Sequence, residues 1–392
     1  MKHLWQFIRF GGRMSEDGEQ LPQENRILVH CDLDAFFAAV ETLHHGFPED
    51  TPLIIGSDPQ QGRGRGIVST CNYEARKYGI RSAMSISEAW RRCPGNPYGN
   101  GIFVRGSRGL YTRASRKVMN VLSKPAEFFE QASIDEAYLD ITSHVDGDWD
   151  RALALCRELQ EEIIQQVGLT ASFGIGSTRI LAKMASEVNK PKGIFRILPD
   201  EISEFFSGRD IREVPGIGAK RAVQLAEWGI STVDEMYDYG EISLSRMTGE
   251  RFASWIIKVY EGKTSVEISP LRSRKSIGKE HTFSSDQGDY QEVLSHLLDI
   301  TRQVILKAKE LGVCGRLAEV KIRYTGFETH THGRSIPVAM DEQEVFNRLS
   351  TNLFANNIQI GKRVRLIGFR LGHLDAPNTR QSTLEFDDEI EL

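Results

Sequence analysis

Cysteine is scarce and scattered: Cys31, Cys71, Cys93, Cys156 and Cys314 form no Cys-x-x-Cys pair. That excludes chemistry built on such pairs and points to free thiols in a reducing cytoplasm. No apolar run approaches the roughly 20 residues needed to cross a bilayer, so no membrane partner is expected. The opening MKHLWQFIRFGG has too short an apolar core for a secretory signal. Together with the polar residues after it, this stretch reads as a mobile leader over 1–25, with Met14 an alternative start. The chain lacks any repeat of fixed period and any extended low-complexity tract.

What is present is an ordinary soluble balance, 40% hydrophobic and 26% charged over 392 residues, enough for two to four domains. The net charge of -5 speaks weakly against a polyanion partner, but its distribution reverses that reading. Residues 105–117, RGSRGLYTRASRK, carry five basic groups and no acid, and 271–279, LRSRKSIGK, carry four. The last nine residues hold five acids. An acidic tail therefore masks a basic interior.

Hydrophobic patterning divides the chain into blocks. RILVHCDLD reads as a buried strand with a helix after it, from about Ala35 to Leu43. GIVSTCNYEARKYGI reads as strand, turn and helix, YTRASRKVMNVLS as an amphipathic helix, and FFEQASIDEAYLDIT as a hairpin. A long helix, the strand LTASFGIGS and the helix TRILAKMASEVN follow. Residues 200–265 are nearly all helical, 271–279 resemble a linker, and two helices with two strands close an α+β block before the tail. The fold class is thus α/β and α+β, multidomain.

Carboxylates mark the first block. Asp32 ends a strand with no helix to cap, whereas Asp34 precedes one, where an N-cap and a metal role are evenly matched. In SIDEAYLD, Asp135 and Glu136 stand side by side near a bend, where neighbours can aim at one point. Carboxylates that converge need a compensating cation, and Mg²⁺ suits such oxygen donors; a solvated turn is the bland alternative. Asp140 reads as structural. Tyr73 and Arg76 lie three apart on one helical face, a possible phosphate clamp or an ordinary exposed turn. Lys190 follows a helix end, where dipole compensation is routine. In VPGIGAKR, Gly216 and Gly218 make a tight turn into a helix whose free N–H groups would face a phosphate, as in a helix–hairpin–helix grip on DNA.

Five stretches, HCDLDAFFAAVE, GIVSTCNYEARKYGIRSAMS, ASIDEAYLDIT, GIGSTRILAKMASEVNKPKG and VPGIGAKR, occur in the order of the motifs of the Y-family translesion DNA polymerases. The chain resembles that family, in its prokaryotic DNA polymerase IV branch, over about residues 26–375. The resemblance implies a right hand: palm over 26–50 and 100–198, small fingers over 51–99, and a thumb over 199–268. A basic linker over 269–280, a little finger over 281–375 and a tail over 376–392 complete it. It implies a monomer that extends a primer–template with deoxynucleoside triphosphates through two Mg²⁺ ions. One ion would activate the primer 3′-hydroxyl and the other the leaving pyrophosphate.

By the same resemblance, Asp32 and Asp135 are metal ligands, Glu136 is the catalytic glutamate, and the Leu33 carbonyl is a main-chain ligand. Thr70, Tyr73, Arg76 and Lys190 would hold the triphosphate. Phe37 would be the steric gate against a 2′-hydroxyl, with Phe36 the next candidate. PKG stands where Pro-Asn-Gly is usual, a departure of little consequence if Lys192 faces solvent.

Arg272, Arg274, Lys275 and Lys279 are expected on DNA phosphates. In the tail, Gln381, Leu384 and Phe386 resemble a sliding-clamp peptide. Only 103 positions separate Asp32 from Asp135, too few for a large closing finger domain. No second carboxylate cluster suggests a proofreading exonuclease. A nucleotidyl cyclase would need no helix–hairpin–helix, and a non-catalytic scaffold would not need all three carboxylates.

Overall fold

The computed structural model describes residues 26–269 and 274–376. The leader, Arg272, and the tail with Gln381, Leu384 and Phe386 lie outside the described residues. The chain divides between residues 271 and 272 into two compact units.

The first unit is organised by a five-stranded sheet in the order β5-β6-β1-β7-β8. Its strands are β1 (Leu28–Leu33), β5 (Phe128–Gln131), β6 (Glu136–Asp140), β7 (Ala171–Gly176) and β8 (Ile194–Arg196). Alternation sends Val29, Cys31 and Leu33 of β1 to one face, where they join a core with α4 (Arg108–Leu122) and α5 (Trp149–Val167). Leu28, His30 and Asp32 take the opposite face, which α6 (Arg179–Val188) covers. On β7, Gly174 lets α6 lie against the strand backbone: a Cβ there would stand 2.0 Å from the Ala182 carbonyl and 2.1 Å from the Ser186 nitrogen. Thr178 caps α6, accepting from the Leu181 amide.

A smaller sheet, β2 (Leu53–Gly56), β3 (Val68–Cys71) and β4 (Ile102–Val104), packs with the helices α2 (Tyr73–Lys77) and α3 (Ile86–Arg92) around Ile54, Val68 and Ile86. Asn72 caps α2 and also accepts from the Leu53 amide, which ties helix to sheet. The helical block expected over 200–265 holds α7 (Ile202–Phe206), α8 (Ala219–Glu227), α9 (Val233–Asp238), α10 (Glu241–Thr248) and α11 (Glu250–Tyr260). Its core is shared with Leu181, Met184 and Ala185 of α6. At the start of α8, Gly216 has φ +106°, a conformation that favours glycine, and Gly218 is the N-cap.

The second unit is an antiparallel sheet in the order β11-β10-β12-β9, backed by α12 (Tyr290–Glu310) and α13 (Gln343–Asn357). Its strands are β9 (Ser276–Gln287), β10 (Cys314–Tyr324), β11 (Thr329–Met340) and β12 (Val364–Asp375). This corrects the linker expected over 269–280. From Ser276 onward the chain is strand, with Lys279 opposite Phe369 and its ammonium donating to Gln303. Arg274 and Lys275 are exposed just before it. Among the described residues, no helix is long and apolar enough to cross a membrane.

Candidate active site

β1 and β6 run antiparallel with Asp32 directly opposite Glu136, so both side chains leave the same face of the sheet. Asp135 sits in the turn just before β6, and its carbonyl accepts from the Leu33 amide at 3.0 Å. Ser133 shapes that turn. Its hydroxyl oxygen accepts from the amides of Asp135 (3.1 Å) and Glu136 (2.9 Å) and donates to Asp135 Oδ1. The three carboxyl-bearing residues expected together are therefore gathered at one end of β1. Asp140, on the same face four residues further along, is buried, paired with Arg26 and bonded to Thr142, the structural role anticipated for it.

Asp34 is not an N-cap. Ala35 holds that position in a left-handed conformation without a side-chain bond, and α1 (Phe36–His45) begins after it. Buried Asp34 instead accepts from the Ser172 hydroxyl and from the Lys192 amide, stitching β1 to β7 and to the loop after α6.

Two lysines compensate the carboxylates. Lys183 Nζ stands 2.6 Å from Glu136, and Lys190 Nζ stands 2.9 Å from Asp32 and 2.6 Å from Glu187. Burial pushes the Asp32 carboxyl up to about 7, against the pull of Lys190. His30 and Lys183 hold the Glu136 carboxyl well below the usual carboxylate range. His30 is fully buried, and burial depresses its pKa against the opposing pull of Glu136. Ser186 gives its proton to the Lys183 carbonyl and so accepts from His30 Nδ1–H at 2.8 Å. Nε2 then faces Glu136 at 3.8 Å, an ion-pair distance too long for a hydrogen bond. Of the two neighbours, Lys183 makes the firmer contact.

Lys183, His30, Ser133 and Glu187 were not anticipated as site residues. One signal for Lys183 is its spacing of seven from Lys190, two turns along α6 and the residues after it.

Sugar and phosphate candidates lie in the same unit. Phe36 is 3% exposed and belongs to the core, whereas Phe37 is half-buried and stacks on Tyr111 at 4.2 Å between centroids. Only Phe37 offers a ring to a ligand. Arg76 stacks over Tyr73 at 4.6 Å, and Thr70 is half-buried on β3. Burial and the Asp34 carboxylate raise the Tyr73 pKa, so its phenol lies within electrostatic reach of the carboxylate end of β1.

Among the described residues, no three Asp, Glu, His or Cys side chains stand in ligand geometry as they are, and lysines pair with two of the three carboxylates, Asp32 and Glu136. The donor set is nevertheless right for a hard divalent cation: oxygens alone, on Asp32, Asp135 and Glu136. Asp32 is also poorly compensated by its single lysine, as its raised pKa indicates. The residues fit such an ion once the lysines turn aside.

Fold and site together define a polymerase-type palm flanked by a small sheet and a helical block. The impB/mucB/samB family model matches residues 31–187 and its C-terminal domain 274–384. The DNA polymerase IV of Methanoculleus marisnigri is 35% identical over 363 residues, covering 92% of this chain and 98% of that one. A solved Y-family DNA polymerase chimera matches with TM-score 0.80 at 29% identity, over 90% of this chain and all of that one. An insertion ternary complex of Dbh DNA polymerase matches with TM-score 0.63 at 28% identity over the same shares. The chain belongs to the impB/mucB/samB family of Y-family DNA polymerases, in the DNA polymerase IV branch, and its fold is the right hand of that family.

Proposed function

We propose that Asp32, Asp135 and Glu136 carry nucleotidyl transfer in this chain, a DNA-directed DNA polymerase that performs translesion synthesis on primer–template DNA with deoxynucleoside triphosphates. The observation that carries the assignment is the register that sets Asp32 opposite Glu136 while Asp135 closes the turn onto Leu33. Asp32, Asp135 and the Leu33 carbonyl would hold divalent cations, two Mg²⁺ in our reading, with Glu136 completing the set. Bound there, such ions supply the positive charge that lowers the pKa of a primer 3′-hydroxyl and neutralises the leaving pyrophosphate.

The protein's own groups do the rest by positioning. Lys190, Arg76, Tyr73 and Thr70 hold the triphosphate, so Lys190 exchanges Asp32 for a phosphate when substrate arrives. Phe37 packs against the sugar and excludes a 2′-hydroxyl. We read the palm over 26–50 and 100–198, the fingers over 51–99, the thumb over 199–268 and the little finger from β9 onward. Backbone amides at Gly216 and Gly218, with Arg272, Arg274, Lys275 and Lys279, grip the duplex through phosphates. Gln381, Leu384 and Phe386 dock on a sliding clamp, and the enzyme works as a monomer without a proofreading exonuclease.

Primer extension with Mg²⁺ tests the assignment. Asp135→Ala and Glu136→Ala should each abolish nucleotide addition while primer–template binding persists. Near wild-type extension by either variant would overturn it.

A further inference from the structure

Glu41 is fully buried on α1, in a core where an apolar residue would join the helices without the cost of desolvating a carboxylate. It lies four residues after Phe37 and so on the same face of the helix. Tyr111 of α4 lies across both. Its ring stacks on Phe37, with 4.2 Å between centroids and 12° between planes, and its hydroxyl donates to Glu41 Oε1 at 2.5 Å. The same oxygen accepts from the Ser107 amide at the start of α4, at 3.0 Å. His45 Nε2 stands 3.1 Å from the other carboxylate oxygen. From the far side, the backbone of Gly106 closes on the phenol: a Cβ there would lie 2.7 Å from the Tyr111 hydroxyl. The ring is thus pinned at its oxygen and has little freedom to slide along Phe37.

We infer that the Glu41 carboxylate is a positioning residue for sugar discrimination: by anchoring the Tyr111 hydroxyl it braces the Phe37 ring in the place from which it excludes a ribose 2′-hydroxyl. This rests on Phe37 being the gate. The physical reason is steric. A gate rejects one extra oxygen only if its ring cannot retreat by the width of that oxygen. Phe37 is half-buried and flanks solvent, so its own packing does not fix it on every side. The stacked Tyr111 supplies the backing, and the short bond to a buried, charged acceptor holds Tyr111.

The measurement is the ratio of kcat/KM for a deoxynucleotide to that for the matching ribonucleotide, on the full chain. Tyr111→Phe keeps the stacked ring and removes the anchor. The ratio should fall about three- to tenfold, the range expected for the net worth of one hydrogen bond, chiefly through a lower KM for the ribonucleotide. Glu41→Ala should lower it at least as far. Glu41→Gln, which keeps an acceptor, should restore most of the selectivity. In the Phe37→Ala background, Tyr111→Phe should relax selectivity no further, because the brace acts through Phe37.

Thermal melts identify any variant that fails to fold, and Tyr111→Phe, the mildest change, keeps the test open if Glu41→Ala is lost. If Phe37→Ala admits ribonucleotides while Tyr111→Phe and Glu41→Ala stay as selective as wild type, the brace is overturned and the gate stands. If Phe37→Ala is itself as selective as wild type, the gate reading fails and the brace falls with it. Equal relaxation by Tyr111→Phe with and without Phe37 would also overturn the inference, since the effect would then run by another route.

Discussion

At Asp32 the demands of folding and of chemistry oppose each other. Its carboxyl is 14% exposed and is pushed from the ordinary 3.8 up to about 7. Below the unfolded pKa both states carry the proton and burial costs nothing. Between about pH 4 and 7 the unfolded chain ionises first, so folding is progressively disfavoured, and above 7 the penalty is complete. Asp32→Asn should therefore stabilise the metal-free protein at pH 8, by at most about 4 kcal/mol, and leave it nearly unchanged at pH 4. Melts in a chelator at both pH values check this; equal shifts at both would contradict it. At Lys192 the side chain is exposed, as expected, but φ is +61°, a strained value for lysine and an accommodating one for asparagine. The Pro-Asn-Gly departure thus has a backbone cost. Lys192→Asn should stabilise by about 0.5–1 kcal/mol in chemical denaturation, with unchanged primer extension. No gain would mean that lysine adopts this φ without measurable strain.

Among the elements, α6 decides the electrostatics of the site. It carries Lys183 to Glu136 and ends just before Lys190 reaches Asp32, and it can do so because Gly174 lets it rest on β7. Gly174→Ala would drive a methyl group into the backbone of α6, which cannot yield as a side chain can. The expected cost is about 1–3 kcal/mol of stability, with slower nucleotide addition as both lysines shift. Wild-type stability in urea would show that the helix accommodates the methyl. Legibility also varied by element. The strands β1, β2, β6, β7 and β12 have apolar, well-buried runs, and β10 alternates apolar with polar residues, so all six are plain in the sequence. β9 and β11 were missed because one face of each is exposed, so their alternation is diluted by charges, threonines and histidines. The basic residues at the start of β9 read as a linker for the same reason.

On the scale of the whole chain, the proposed clamp docking should separate from catalysis, since the proposed peptide follows the last strand in the sequence. Deleting residues 381–392 should spare single-nucleotide insertion and remove clamp-stimulated long synthesis, because tethering raises local concentration without touching the chemistry. Equal stimulation of the full and shortened chains by the cognate clamp would exclude the tail as the docking segment.

The order of the motifs, the hairpin that holds Asp135 and Glu136, the strand end at Asp32 and the glycine turn before α8 were all readable from the sequence. Each is a local pattern of periodicity, turn residues or adjacent charges, and the chain records such patterns directly. Tertiary structure alone decided the rest. The pairing of Lys183 with Glu136 spans 47 positions, that of Tyr111 with Glu41 spans 70, and that of Ser172 with Asp34 spans 138. Which side chain meets which across such separations depends on strand register and on how closely a helix approaches the sheet. Asp34 became a stitch rather than a cap, and Phe36 a core residue beside a half-exposed Phe37, only when packing assigned them their neighbours.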